Sequence, residues 1–416
     1  MKNQKALWFL YFNSSFLVLE YGYTYHSMHD FALTTYDYNL PPELIAQEAV
    51  HPADRARLLV AEKESGTIIA DTDFASLPDI LPSDRILFFN NSKVLRSRIP
   101  LHSARFMDPS GRERIVTEGE IFFLKMQGSG YFEALVRPWK LFRIGTRITI
   151  DTLELEVSGV TDVWRMLRIC AWSIWETMER IGRLPLPPYI AYDIEKEQDY
   201  QTQFAQSLGS VAAPTASLHF TSDLLERLPH ERAFVTLHVW LGTFKGIDVE
   251  DVRDYSIHGE IVEVWEILFT HIASWKLSGK KVLAVGTTVC RTLESLPFLW
   301  RCLLPEEKMY FSEDVRAFWD GIAHITDDRS REWTFVTAYE HDRGVYRFET
   351  HIYIFPWYTF RVVDELITNF HLPRSSLLVL VSAFSSMESV RRLYRHAIDA
   401  KYRFYSFGDG MYLRWK

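Results

Sequence analysis

Cysteine is scarce in this sequence, and none of it forms a metal-binding pattern. The 416 residues contain three cysteines, Cys170, Cys290 and Cys302, and these lack the close pairs typical of structural zinc sites. An odd number of widely separated cysteines also provides no disulfide framework. We therefore expect free thiols in a reducing compartment and a cytoplasmic protein.

Long apolar runs are missing as well. A transmembrane helix needs about 20 consecutive apolar residues, and no stretch of the sequence reaches that length. Near the start, ALWFLYF follows two lysines but is interrupted by polar residues at 13–15, so we expect no signal peptide and no membrane partner. We treat residues 1–33 as an N-terminal extension; the more ordinary start at Met28 leaves open whether residues 1–27 are native.

Common ligand-binding motifs are absent too. The sequence has no G-x-G-x-x-G after a predicted strand and no G-x-x-x-x-G-K-[ST] loop, which excludes the usual dinucleotide and nucleoside triphosphate signatures. Neither H-x-H nor H-E-x-x-H occurs. A metal-dependent hydrolase would therefore rest on histidine count alone, and we predict no metal.

The composition is that of a globular protein with a local excess of basic residues. A length of 416 residues indicates about two to three domains. Apolar residues make up 47% and charged residues 24% of the chain, which is typical of a globular protein with a large core. The formal net charge of −8 argues against a broadly basic nucleic-acid-binding surface. Between Arg85 and Arg147, however, 12 Lys or Arg stand against five Asp or Glu. This segment is either the solvated outside of a sheet or a surface that binds phosphates.

The pattern of predicted secondary structure changes along the chain. From Asp84 to about Val160, short β-rich runs alternate with turns, which predicts an antiparallel sheet or small barrel. Beyond Trp164, strands alternate with helices, which predicts a parallel α/β sheet with LLVLVSAF at 377–384 as one of its strands. Ligands of such sheets bind beyond the carboxyl ends of the strands. That rule selects His238 with Gly242, the turn Gly286-Thr287-Thr288, and Ser382-Ala383-Phe384.

Small residues and histidines mark further candidate positions. The run GSVAAPTASLHFT at 209–221 lets the backbone approach a ligand closely, as in a pocket wall, but a tightly packed loop has the same composition. The polar segment around Asn369 is either a capped loop or a loop that faces substrate. Each candidate histidine is more simply a structural hydrogen-bonding residue, yet four in similar positions predict at least one functional histidine. The four are His219, His238, His258 and His371.

Seven segments taken together resemble one family. YDYNLPPELIAQ, GSVAAPTASLHFT, VTLHVWLGTF, AVGTTVCRTLES, VVDELITNFHLPRSS, LVSAF and YSFGDGM occur in the order and approximate spacing of that family. From about Thr35 to Met411, the sequence resembles the S-adenosylmethionine:tRNA ribosyltransferase-isomerases of queuosine biosynthesis. The resemblance is weak over residues 1–33 and about 297–350.

This resemblance implies a reaction, its substrates and a fold. The family transfers and isomerises the ribosyl part of S-adenosylmethionine onto 7-aminomethyl-7-deazaguanine at the tRNA wobble position, giving epoxyqueuosine and releasing adenine and methionine. S-adenosylmethionine is then a co-substrate and tRNA the partner, without a metal, and a monomer is expected. The implied fold is an α/β domain, here 34–83 and 161–416, with an inserted antiparallel β-barrel domain, here 84–160, that contacts tRNA.

The implied reaction also suggests roles for individual residues. A base must take the proton beside the sulfonium, and the sequence does not choose between His238 and His219. A carboxylate or an aromatic face near the sulfonium is expected from Glu260, Asp409, Phe220 or Phe384. The full set of catalytic candidates is His238, His219, His258 and Glu260. Expected S-adenosylmethionine contacts are Ser210, Ala212, Ala213, Pro214, Thr215, Gly286, Thr287, Thr288 and Arg291. Expected tRNA contacts are Arg96, Arg98, Arg137, Arg143, Asn369, His371 and Asp409.

The sequence departs from the family pattern at several positions. The family segment HVGAGTF reads HVWLGTF here, with Trp240 in place of a glycine, MHSE reads IHGE at 257–260, and PGY reads PWY with Trp357. If Trp240 faces the pocket, its bulk would block the cofactor. The alternative hypothesis is therefore a tRNA-binding protein that keeps the scaffold but has lost or altered catalysis.

Overall fold

The computed structural model describes residues 31–127, 130–170, 174–240, 242, 246–323 and 335–416. The N-terminal extension expected for 1–33 therefore lies outside the described residues up to position 30. Three positions of HVWLGTF, namely Leu241, Thr243 and Phe244, also lie outside them. In the part of the chain that is described, no helix is long and apolar enough to cross a membrane.

A large mixed sheet and a smaller antiparallel sheet contain nearly all of the strands, and β4 and β13 below form a short parallel pair of their own. The strands are β1 Arg57–Glu62, β2 Ile68–Asp73, β3 Arg85–Asn90, β4 Ser92–Val94, β5 Arg98–Pro100, β6 Ala104–Met107, β7 Glu113–Val116, β8 Glu120–Gln127, β9 Tyr131–Arg137, β10 Arg147–Ile150, β11 Leu153–Val160, β12 Arg165–Ile169, β13 Ser207–Ser210, β14 Arg232–His238, β15 Glu260–Trp265, β16 Lys281–Val285, β17 Val336–Asp342, β18 Val345–Thr350, β19 Glu365–Asn369 and β20 Gly410–Arg414.

The helices are α1 Leu77–Ile80, α2 Ile174–Ile181, α3 Ser222–Arg227, α4 Ile267–Leu277, α5 Thr287–Cys302, α6 Pro305–Lys308, α7 Glu313–Ala323, α8 Ser376–Phe384 and α9 Met387–Asp399.

The large sheet is parallel only at its centre. Its strand order is β17-β18-β15-β14-β3-β16-β19-β20-β1-β2. The four central strands β14, β3, β16 and β19 run parallel to one another, whereas β15, β18 and β17 continue the sheet antiparallel. On the other side β20 is antiparallel to β19 and parallel to β1. The predicted parallel α/β sheet is therefore corrected to a mixed sheet with a parallel centre.

The antiparallel sheet does not coincide with the predicted range 84–160. Its order is β5-β8-β9-β12-β11-β10-β6-β7, so it extends from Arg98 to Ile169. Strands β3 and β4, inside the predicted range, pair elsewhere, and β12 lies beyond it. Among the described residues no pairing joins β5 to β7, so the sheet is open rather than a closed barrel. Its inner side chains, including Phe106, Phe123 and Leu155, form a separate buried core.

The large sheet is covered on both faces. Every residue of β3 is buried, and side chains of successive strand residues point to opposite faces. Ile86 and Phe88 accordingly pack into one apolar cluster, and Leu87 and Phe89 pack into another. Close packing on both sides holds the ends of the central strands in fixed positions.

Residues 376–384 form helix α8 and not the strand predicted for LLVLVSAF. The helix begins after Ser375, whose Oγ accepts a hydrogen bond from Leu378 N at 3.2 Å, as expected of an N-cap serine. Because this run is apolar on all sides, periodicity could not distinguish a buried helix from a buried strand. The segment Ser382-Ala383-Phe384 consequently ends a helix and follows no strand.

A buried ion pair joins the first residues of β3 and β19. The Arg85 guanidinium donates from Nη2 to Glu365 Oε1 at 2.6 Å and from Nε to Oε2 at 2.9 Å. The fully buried Glu365 carboxylate also accepts a hydrogen bond from the Tyr412 hydroxyl. Two buried charges compensate each other only while both are present. This pair therefore fixes the edge of the sheet opposite to the carboxyl ends of the parallel strands.

Replacing Glu365 with glutamine should lower the free energy of unfolding by about 3 kcal/mol, because Arg85 loses its buried carboxylate partner and keeps only the exposed Asp84. Urea unfolding followed by tryptophan fluorescence measures this change. The matched control is Glu156→Gln, which removes the partly exposed Arg168–Glu156 pair and should cost less than about 1 kcal/mol. Equal losses in the two variants would contradict a special contribution of the buried pair.

Candidate active site

A cleft lies where the parallel strands end, and the space between its walls, together with the open solvent at its mouth, is about 800 Å³. One wall comes from the small-residue run 212–216 and the turn 286–288 after β16. The facing wall comes from residues 368–373, at the end of β19 and just beyond it, and from the start of α8. The lining also includes Tyr189, Val239, Gly246, Tyr405 and Ser406. This position agrees with the rule that α/β sheets bind ligands beyond the carboxyl ends of their strands.

Seven of the nine expected S-adenosylmethionine contacts line this cleft, namely Ala212, Ala213, Pro214, Thr215, Gly286, Thr287 and Thr288. The other two serve packing nearby. Ser210 Oγ accepts from Val239 N at 2.7 Å and so joins two chain segments. Arg291 is buried in the second turn of α5, where it forms an ion pair with Glu260.

Gly286 allows the two parts of the first wall to approach each other. Its φ is +99°, a conformation that favours glycine. A Cβ at this position would also stand 3.6 Å from the Cβ of Ala216. The small side chains of the run 212–216 therefore let the β16–α5 turn lie directly against it.

Asn369 organises the facing wall. Its Oδ1 accepts from Thr215 Oγ1 at 2.9 Å, and its Nδ2 lies 3.3 Å from His219 Nε2. The His219 ring also bonds to the backbone of Ala53, and burial lowers the pKa of His219 to about 4. The His219 ring therefore bonds to protein groups only, namely the Asn369 side chain and the Ala53 backbone. In this position it orients Asn369 and is not placed to take a proton from a ligand.

His371 lines the cleft as a neutral side chain. Its Nε2 lies 2.8 Å from Thr368 Oγ1, and burial lowers the pKa of His371 to about 3. Its backbone is held on both sides, since its N–H donates to the Tyr394 hydroxyl at 2.9 Å and its carbonyl accepts from the Tyr38 hydroxyl.

His238 ends β14, directly before Val239 in the cleft lining. Its Nδ1 lies 3.0 Å from Ser92 Oγ, and a Cβ at Gly209 would come within 2.6 Å of its ring. Burial, with a smaller effect of Arg347, lowers the pKa of His238 to about 4. The ring is therefore neutral at pH 7, and its Nε2 meets no hydrogen-bond partner among the described residues.

His258, Glu260 and Arg291 form a charged group in which Glu260 and Arg291 are buried and His258 is partly exposed. Glu260 pairs with Arg291, and its Oε1 lies 3.6 Å from His258 Nε2 and 3.4 Å from Trp240 N. Burial alone would raise the pKa of Glu260, but the charges of Arg291 and His258 outweigh it and lower that pKa to about 2. Glu260 is therefore an ionised, paired carboxylate at neutral pH.

The two tryptophans that depart from the family pattern are not among the described residues that line the cleft. The Trp240 ring lies 6.0 Å from the ammonium of Lys125 in β8, and Lys125 pairs with Glu349 of β18 at 2.7 Å. Trp357 has a φ of +109°, and its ring packs against Phe355 with centroids 4.8 Å apart. Neither side chain therefore supports the idea of a blocked pocket.

The aromatic groups of the cleft differ from those expected at the sulfonium. Phe220 packs on Phe74 and Phe89, and Phe384 packs on Phe360, all away from the cleft lining. Asp409 is almost completely buried and accepts backbone hydrogen bonds, from Arg57 N at 3.0 Å and from Arg403 N at 2.7 Å. Its carboxylate is therefore engaged by the backbone of the protein itself, and its contact with tRNA stays a prediction.

Tyr189, Tyr405 and Ser406 line the cleft although the sequence did not predict them as site residues. The two tyrosine rings lie 4.8 Å apart, and Tyr189 Oη lies 2.6 Å from Ser406 Oγ. Tyr405 has a φ of +74°, a conformation that is uncommon outside glycine and frequent at functional sites. The segment YSFGDGM at 405–411 contains Tyr405 and Ser406 and is one of the segments that resemble the family. Nothing in its pattern marked either residue as part of a site.

The four expected tRNA-contacting arginines differ in availability. Arg96 pairs with Glu197 at 2.9 Å, and Arg98 lies 3.5 Å from Glu120. Arg137 and Arg143 are exposed and form no ion pair within the described ranges. Only the latter two are free to meet a phosphate without first losing a carboxylate partner.

Replacing Glu260 with glutamine should destabilise the protein by about 3 kcal/mol at pH 7, because Arg291 loses its buried partner. The folded pKa of Glu260, about 2, lies below its ordinary value of 4.5, so its stabilising effect is complete above that value and is lost as the pH falls toward 2. Urea unfolding at pH 5, 4 and 3 should show the difference between wild type and variant shrinking. A constant difference would contradict the lowered pKa.

Comparison with known proteins places the chain in a family. It matches the queuosine biosynthesis protein family over residues 33–413. It is 38% identical over 391 residues to the S-adenosylmethionine:tRNA ribosyltransferase-isomerase of Paraburkholderia xenovorans, covering 92% of this chain and 98% of the relative. The protein of the same name from Thermosynechococcus vestitus is 34% identical over 391 residues, covering 92% and 96%. A crystal structure of S-adenosylmethionine tRNA ribosyltransferase from Thermotoga maritima is 28% identical, covers 91% of this chain and 99% of that chain, and has a TM-score of 0.45. From the family match and the two sequence relatives, the chain belongs to the queuosine biosynthesis protein family.

Proposed function

We propose that the protein is an S-adenosylmethionine:tRNA ribosyltransferase-isomerase. It would transfer and isomerise the ribosyl part of S-adenosylmethionine onto 7-aminomethyl-7-deazaguanine at the tRNA wobble position, releasing adenine and methionine. The observation that carries the proposal is the family match over residues 33–413. The cleft supports it, because segments that carry the resemblance meet there from distant parts of the chain.

S-adenosylmethionine would lie between the small-residue wall and the wall of Asn369 and His371. Its sulfonium is a cation, and aromatic faces attract cations. Tyr189 and Tyr405 supply such faces within the cleft lining, in place of Phe220 and Phe384. We therefore assign sulfonium binding to these two tyrosines.

His238 is our candidate for the base. Removal of the proton beside the sulfonium needs a group that holds a lone pair at neutral pH within reach of the cleft. His238 is neutral, ends β14 next to the cleft lining, and is held by Ser92 and Gly209. His219 is engaged by Asn369 and Ala53. Glu260 is neutralised by Arg291, so we assign it a positioning role.

The antiparallel sheet is the candidate surface for tRNA. Arg137 at the end of β9 and Arg143 before β10 present cations that lack a carboxylate partner in the described part of the chain. Phosphate neutralisation by such residues dominates nucleic-acid affinity.

We further propose that this sheet is a separate inserted domain, that the protein is a cytoplasmic monomer, and that the reaction needs no metal. No group of three or more His, Cys, Asp or Glu in the described residues is placed to hold a metal.

The first test follows adenine release and RNA mass when the protein is mixed with S-adenosylmethionine and an anticodon stem-loop carrying 7-aminomethyl-7-deazaguanine. His238→Asn should lower the rate about 100-fold or more, because a positioned base contributes at least that factor, while S-adenosylmethionine binding is kept. The wild-type rate should stay flat from pH 8 to about 5.5, because a base of pKa about 4 remains unprotonated there.

Asn369→Ala is the matched comparison, since it changes the cleft wall and should affect binding more than the chemical step. A His238→Asn variant with the wild-type rate would remove His238 as the base. Wild-type protein that binds the stem-loop but releases no adenine would favour the binding-only alternative.

The second test concerns the salt dependence of stem-loop binding. Changing Arg137 and Arg143 to alanine should lower the slope of log Kd against log salt by about one unit per lost phosphate contact. Arg253→Ala is the control, because Arg253 is already paired with Asp251 and should leave the slope unchanged. An unchanged slope in the double variant would exclude these arginines from the RNA interface.

A further inference from the structure

Helix α5 begins at the cleft without a side-chain cap. Its N-cap residue is Gly286, which has no side chain to accept the first backbone N–H groups. Helices α3, α8 and α9 are capped instead by hydroxyls of Thr221, Ser375 and Ser386. The first N–H groups of a helix need acceptors and carry a positive partial charge. The amino end of α5 therefore presents uncapped donors beside Thr287 and Thr288 in the cleft lining.

Thr288 supplies an independent indication of a ligand. The residue is 8% exposed, and its Oγ1 is buried without a hydrogen-bond partner in the described part of the chain. That oxygen lies 3.7 Å from the Cβ position of Gly286, and both residues belong to the cleft lining. Buried hydroxyls are normally satisfied. The Thr288 hydroxyl and the uncapped N–H groups thus need an acceptor at the same place.

The absence of charged side chains from the described lining residues indicates what kind of acceptor binds at this turn. None of the described lining residues is Lys, Arg, Asp or Glu, and His371 is neutral. A negative group in the cleft would therefore meet its positive counterpart at the amino end of α5, a known type of anion site. The turn lies against Ala216, so the space suits a small anion at the end of a flexible chain. An RNA phosphate is flanked by two riboses and fits such a turn less well.

We infer that the amino end of α5, together with the Thr288 hydroxyl, binds the carboxylate of the amino-acid part of S-adenosylmethionine. The inference rests on the proposed function, because it assigns one end of that substrate to one end of the cleft. Binding would use the backbone N–H groups of the first turn and the side-chain O–H of Thr288, and it requires no charged side chain.

The test compares S-adenosylmethionine with its decarboxylated analogue by isothermal titration calorimetry. An anticodon stem-loop with ordinary guanine at the wobble position is present, so that the RNA site is filled but no transfer occurs. Wild-type protein should prefer S-adenosylmethionine by about tenfold or more, as expected for hydrogen bonds to a charged group. Thr288→Val should weaken S-adenosylmethionine about tenfold and leave the analogue unchanged, and Thr288→Ser, which keeps the hydroxyl, should restore the preference.

Separate outcomes overturn the inference and the proposed function. If Thr288→Val weakens the binding of S-adenosylmethionine and of its decarboxylated analogue equally, the carboxylate contact is excluded. The same holds if wild-type protein binds the two ligands equally well. Either result excludes the contact even when adenine release proceeds with the modified stem-loop. If Thr288→Val weakens the binding of the stem-loop but leaves the binding of S-adenosylmethionine unchanged, the turn binds an RNA phosphate, and this too would overturn the inference. Wild-type protein that neither binds S-adenosylmethionine nor releases adenine would instead remove the proposed function, and the inference with it.

Discussion

The parallel alignment of β14, β3, β16 and β19 is the constraint on which the cleft depends. Because these strands run in one direction, their carboxyl ends meet at one edge and bring together residues that are far apart in sequence. Asn90 ties two of these ends, since its Oδ1 accepts from Leu237 N at 3.1 Å and its Nδ2 donates to Leu237 O at 2.9 Å. At the opposite edge the Arg85–Glu365 pair links β3 to β19. The site is thus held by contacts at both ends of the same strands.

The electrostatics of the site follow from this arrangement. Glu260 and Arg291 are paired with each other, and the described lining residues include no Lys, Arg, Asp or Glu. Burial lowers the pKa of His219, His238 and His371, so these rings add no charge at neutral pH. A neutral lining suits a substrate that carries both a positive and a negative group, because each can be matched by local dipoles or aromatic faces. Low solvent access strengthens such interactions.

Local signals explain which parts of the fold and site could be predicted from the sequence. The turn at 286–288 directly follows a β-branched run, and the small residues at 212–215 stand out from their surroundings, so both were found without knowing the fold. The helical state of 376–384 was missed because a run buried on all sides lacks periodicity. The pairing of Arg96 with Glu197 and the place of Tyr405 in the cleft depend on contacts between distant segments. Likewise, the sheet to which β3 or β12 belongs is set by its pairing with strands that are distant in sequence, and the local residue pattern does not show this pairing.

The position of β1 in the large sheet has a consequence for biosynthesis. β1 lies between β2 and β20, and its parallel partner consists of residues 410–414. During synthesis, β1 and β2 are made long before residues 410–414, so the side of β1 that faces β20 keeps unpaired backbone groups until β20 has formed. Exposed strand edges are prone to pair with other chains, and contacts between distant residues form slowly. This edge of β1 is therefore open to incorrect pairing until β20 is in place, and a chain truncated before residue 410 would keep it open.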